Sequence, residues 1–229
     1  MKIRIATLFL TILCLALTAY AGTTTFYNDG GIDGNDNAFF VTGPSFPNFL
    51  GSVQDISNGF VAAASGTPNQ LAWGEWSVGA PTSFSYELGS AAFGTDIGSG
   101  TVTQNAGNSV LLFTNADGYG VYSVTVPVTS TALTAGNQYW LSISNATDAG
   151  NDGTQAWDIP NSGSGGPATC NFRQSGTNFG NCGLGGESFT LTGNTTTTTT
   201  STTPEPTSIM LFGSGILGLA GVLRRKLTR

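Results

Sequence analysis

The sequence predicts an all-β protein, an antiparallel β-sandwich of jelly-roll-like character, flanked by an N-terminal signal peptide and a C-terminal transmembrane helix. Three observations carry this. Away from the ends, apolar and polar residues alternate over short stretches, the period of a half-buried strand. Glycine supplies 33 of 229 residues, about twice its usual share, and cuts the chain into pieces too short for most helices. A helical apolar period survives only in the two terminal segments.

The N-terminal segment, residues 1–21, reads as a secretory signal peptide. Lys2 and Arg4 form its positive start, Ile5 to Leu17 its apolar run, and Ala19-Tyr20-Ala21 a small-x-small cleavage site. Cutting between Ala21 and Gly22 is expected. The thirteen residues of that run span roughly 20 Å as a helix at ~1.5 Å each, short of the ~30 Å hydrocarbon core. Cys14 lies inside that run behind bulky Leu13, so it is not a lipoprotein cysteine.

Residues 22–193 are one domain's worth of chain, with length enough for a core. Strands are predicted at Thr24–Tyr27, Ala38–Thr42, Gly59–Ala64, Leu71–Val78 and Ser83–Leu88. Further strands follow at Thr101–Gln104, Ser109–Thr114, Tyr119–Val128, Gln138–Ile143 and around Phe189 and Leu191. Alternation assigns faces within them. Phe84, Tyr86 and Leu88 share one, as do Tyr122, Val124, Val126 and Val128, and Tyr139, Leu141 and Ile143. Short strands with turn residues between them argue for a sandwich.

Charge excludes several functions. Between Gly22 and Gly193, one arginine, Arg173, faces twelve acids, a net −11 with no lysine and no histidine. That surface repels phosphate backbones, so no nucleic-acid partner is expected. Mechanisms that need a histidine base, a Ser-His or Cys-His pair or a catalytic lysine are excluded.

Four candidate features remain. Cys170 and Cys182 are the cysteines beyond the signal peptide, and export favours a disulfide between them. Asp29, Asp33 and Asp36 lie in a glycine-rich run with oxygen ligands enough for calcium. An ordinary Asn/Asp/Gly turn accounts for the same residues, and no metal or cofactor is expected. Glu75 and Glu87 are the carboxylate pair through which a glycosidase would act. Trp73 and Trp76 beside Glu75 are either a sugar-stacking platform or core, and regular alternation places them on opposite faces.

The chain continues through a Thr/Ser-rich linker, residues 194–203, whose nine successive hydroxyl residues bury no apolar surface. Pro204-Glu205-Pro206 follows, then an uncharged apolar stretch, Thr207 to Leu223, and Arg224-Arg225-Lys226. Seventeen uncharged residues reach the lower limit for a spanning helix, and the cations hold its end in the cytoplasm. This order resembles the PEP-CTERM protein-sorting signal of Gram-negative bacteria. The resemblance implies an exosortase as partner, a membrane-embedded cysteine protease/transpeptidase that recognises Pro204, Glu205 and Pro206. It also implies transient anchoring by residues 204–229, then release to the cell surface or extracellular polysaccharide. Val124–Val128, Leu133-Thr134-Ala135-Gly136, Tyr139-Trp140-Leu141 and Asn145-Ala146 resemble the passenger domains of such proteins, which implies a fold and no activity. The expectation is an exported surface or matrix protein without catalysis. A calcium-dependent carbohydrate-binding module for exopolysaccharide is the alternative, and a glycoside hydrolase using Glu75 and Glu87 is a third reading.

Overall fold

A computed structural model describes residues 23–34, 38–41, 54–150, 155–159, 170–174, 176–181 and 186–195. The cleavage site Ala21–Gly22, Asp36, Cys182, Pro204, Glu205, Pro206 and the helix expected over 207–223 lie outside the described residues. The chain divides into two compact units between Thr196 and Thr197, and every described strand falls in the first.

The regular elements among the described residues are thirteen strands in two antiparallel sheets. The seven-stranded sheet holds β1 (Thr23–Asn28), β2 (Ala38–Phe40), β4 (Gly66–Ser77), β7 (Ser109–Thr114), β8 (Gly120–Pro127), β10 (Gln155–Asp158) and β13 (Phe189–Thr195). The six-stranded sheet holds β3 (Gln54–Val61), β5 (Pro81–Gly89), β6 (Gly98–Thr103), β9 (Gln138–Asp148), β11 (Cys170–Gln174) and β12 (Thr177–Asn181). Its order is β12-β11-β3-β9-β5-β6. In the larger sheet, β4 is long enough for β13 and β10 to share one edge while β8 runs along the other.

The predicted faces hold. Phe84, Tyr86 and Leu88, and Tyr139, Leu141 and Ile143, turn inward from the six-stranded sheet. Leu71, Trp73, Val124, Val126, Trp157, Phe189 and Leu191 meet them from the other. Trp73 lies 5.0 Å, ring centre to ring centre, from Phe84 and 5.9 Å from Trp157, and Phe60 lies 5.6 Å from Phe189. These contacts join the sheets by apolar burial and tilted or edge-on ring packing.

Three strands were not anticipated, because β10 is four residues long and β11 and β12 are five-residue polar stretches, with Gly180 inside β12. β3 begins earlier than its apolar pattern, since Asp55, Ser57 and Asn58 interrupt it. β13 runs to Thr195, into the stretch assigned to the linker. β9 runs past Ile143 to Asp148 across an irregularity. Ser85 pairs with Ser144 but Ser83 with Thr147, so one strand carries an extra residue there. Asn145 sits in this bulge at φ 51, a conformation asparagine tolerates better than most residues.

A smaller apolar cluster lies on the outer face of the seven-stranded sheet, where Trp76, Val121 and Ala156 pack with Ile32, Ala38 and Tyr119. The segment after β1 folds down over it. A side chain at Gly34, φ 63, would come within 2.7 Å of the Phe113 ring and 2.8 Å of Val121, so the close approach requires glycine.

Candidate functional site

Of the Asp-rich segment's acids, the described Asp29 and Asp33 sit apart. Asp29 is buried, and hydrogen bonds from Tyr27 and Asn58 hold its side chain. Four residues on, the backbone of Asp33 donates to Asp158 at 3.2 Å, as does that of Gly34 at 3.0 Å. Trp76 Nε1 donates to the same carboxylate at 2.7 Å. Asp158 thus ties the segment to the outer face of the sheet. Among the described residues, no three of His, Cys, Asp and Glu gather to hold a metal.

Glu75 and Glu87 are not a pair. Trp73, Glu75 and Ser77 alternate onto the inner face of β4, while Glu87 points outward from β5, between inward-facing Tyr86 and Leu88. One carboxyl is inside the sandwich and the other on the outside of the opposite sheet, so no glycosidic bond fits between them. Full burial pushes Glu75 up to about 8, partly opposed by the Gln104 amide and reinforced by Asp148. Glu187 behaves alike: burial lifts it to about 8, with a further rise from Asp29. The tryptophan platform is corrected too. Trp73 is 1% exposed and Trp76 6%, so neither presents a face for a sugar.

The outer face of the six-stranded sheet does carry an open site. A groove of about 390 Å³ is lined by Asp55, Glu87, Arg173, the hydroxyls of Ser85, Ser99, Thr101 and Ser144, and Asn145 at the bulge. Alternation explains it: outward positions of β3, β5, β6, β9 and β11 are polar where inward ones are apolar. Arg173 anchors one end. Its Nε and Nη2 each lie 2.7 Å from Asp55 Oδ2, and Nη2 lies 3.7 Å from Glu87. Its guanidinium stands 4.4 Å over the Phe93 ring, a cation–π contact. Phe93 holds φ 59, and its N–H donates to Ser57. Burial raises Glu87, Arg173 pulls it back and Asp55 raises it again.

Half-buried Trp140 faces outward on the same sheet, with Gly59 and Gly89 as its register neighbours. At about 3.4 Å per residue it stands about 14 Å along β9 from Ser144. Arg173, Asn145 and Trp140 had no predicted role, although a lone cation among twelve acids was a visible signal. Cys170 is buried in β11, and its expected partner Cys182 lies outside the described residues.

Residues 202–226 match the family model of the PEP-CTERM protein-sorting motif. The chain therefore carries a C-terminal exosortase signal, and with it the mark of an exported protein anchored transiently before cleavage. No curated protein and no solved structure matches the chain.

Proposed function

We propose that this protein is a non-catalytic surface or extracellular-matrix protein, released by exosortase after export. The observation that carries the reading is the sorting motif at 202–226, which spans Pro204, Glu205, Pro206 and the apolar stretch to Leu223. The separation of Glu75 from Glu87 supports the absence of glycosidase chemistry. Cutting at Ala21–Gly22 and near Pro204 leaves an acidic module whose Cys170 and Cys182 form a disulfide in the oxidising compartment. The test is intact mass of the exported protein from cells with and without an exosortase. The processed product should lack Arg229 and start at Gly22. An exported pool that still carries Arg229 in exosortase-bearing cells would refute the reading.

The groove favours exopolysaccharide as the ligand. Carboxylates and an amide set among hydroxyls match the vicinal hydroxyls of a sugar polymer, and Trp140 offers an aromatic surface on that face for stacking. A retardation assay against acidic and neutral polysaccharides tests it. Asn145→Ala, Thr101→Val and Trp140→Ala should each weaken retention at least tenfold. Retention unchanged in all three would remove the groove from the reading.

A further inference from the structure

The interior of the sandwich is not uniformly apolar. Inward-facing Glu75 and Ser77 of β4 meet Gln104, just after β6, Ser109, at the start of β7, and Asp148, at the end of β9. The Gln104 amide donates to Glu75 and, at 3.3 Å, to Ser109. Ser77 donates to Asp148 Oδ2 at 3.4 Å. Gln155 of β10 pairs in register with Ser77, and directly opposed residues of an antiparallel pair share a face. All six side chains are buried.

This cluster is rich in unmet oxygen. Glu75 Oε1, Gln104 Oε1, Asp148 Oδ1 and both amide atoms of Gln155 have no hydrogen-bond partner among the described residues. Gln155 is 0% exposed, so solvent does not satisfy it. Native interiors leave few such groups without a water or ion to serve them. Two carboxylates here face no buried cationic side chain, since Arg173 lies on the far side of the six-stranded sheet. The hydroxyls and amides contribute oxygen without charge.

We propose that this inner end of the sandwich binds a single calcium ion through Glu75, Asp148, Gln104, Gln155, Ser77 and Ser109. Six oxygen donors meet the lower end of calcium coordination, and irregular geometry is no obstacle to that ion. Magnesium demands a stricter octahedron and gives up its waters reluctantly. Zinc and copper prefer imidazole nitrogen or sulfur, which the cluster lacks. The ligands come from both sheets, so the ion clamps them together. The site is separate from the groove and independent of what the groove binds.

The experiment uses the protein exported from cells expressing the full coding sequence. Metal content is measured after dialysis, and melting is followed in calcium, magnesium and an ionic-strength-matched sodium salt. About one calcium per chain is expected, with melting raised several degrees by calcium well beyond either control. Glu75→Gln and Gln155→Met should each lose most of that calcium-specific rise, and Asp29→Asn should keep it. No bound calcium with equal melting in all three salts would overturn the proposal. So would a calcium response lost in Asp29→Asn and kept in Glu75→Gln, because the ion would then lie elsewhere. A Glu75→Gln protein that melts above the parent while the parent ignores calcium also counts against it, since the cluster would hold only water around a neutral carboxyl.

Discussion

Glu187→Gln tests whether burial governs the acid-base behaviour of this fold. Glu187 is 0% exposed, with neither carboxyl oxygen partnered among the described residues. The groups facing it are Asp29 and Tyr27 of the β1 end and the Asn58 amide, whose Nδ2 reaches the Glu187 carbonyl at 3.4 Å. No cationic side chain is among them. Burial raises its pKa from 4.5 to about 8, so the native state holds a proton that the unfolded chain gives up above about pH 4.5. The unfolded state then binds fewer protons, and unfolding free energy falls as pH rises between the two values. At 1.36 kcal/mol per unit, the loss is about 3 kcal/mol by pH 7 and approaches about 5 kcal/mol above pH 8. Below the unfolded pKa it vanishes. Glutamine keeps the shape and carries no proton to lose. Urea unfolding followed by tryptophan fluorescence, on parent and variant at about pH 5 and pH 8.5, reads Glu187 together with its coupling to Asp29, because titrations away from this pair cancel in the difference. The variant should gain several kcal/mol on the parent between the two pH values. A difference that stays constant within 1 kcal/mol would refute the argument, because Glu187 would then be ionised in the native state or solvated.

The other predictions concern anchors of the fold. Asp158→Ala strands the Trp76 indole N–H and the backbone donors of Asp33 and Gly34. It should cost about 3 kcal/mol at about 1–3 per orphaned group, with red-shifted tryptophan emission as the outer cluster opens. Arg173→Met removes the cation that holds largely buried Asp55. A quarter-exposed arginine is partly screened, so about 1–2 kcal/mol is expected by urea unfolding, together with a further rise of the Glu87 pKa read by NMR titration. Reducing the expected Cys170–Cys182 bridge reopens a loop of about a dozen residues and should cost roughly 3 kcal/mol. Non-reducing peptide mapping that finds free thiols at both positions in native exported protein would remove that term.

What a single strand decides was legible in the residues themselves. Alternation placed Phe84, Tyr86 and Leu88, Tyr139, Leu141 and Ile143, and Val124 and Val126 in the core, because side chains of an extended chain have nowhere else to point. It also separated Trp73 from Trp76. The sorting tail was equally plain, since proline, glycine and charge in fixed order need no partner to be read. Position between strands was not legible. The strand expected over Ser109–Thr114 forms, but Val110, Leu111, Leu112 and Phe113 in it are 41–53% exposed, because among the described residues β7 pairs with β8 alone and lies at a sheet edge. Glu75 and Glu87 looked like partners twelve residues apart. A crossing between sheets sent one inward and the other out. The acids of the glycine-rich run read as a turn or an ion loop, and only the fold shows that β10 draws the backbone at Asp33 and Gly34 to Asp158 while Asp29 turns towards Asn58. Sequence sets which face of a strand is apolar. Which strands become neighbours depends on the summed burial and hydrogen bonding of the whole sandwich, and the groove at Arg173 and the oxygen cluster around Gln155 exist only through that pairing.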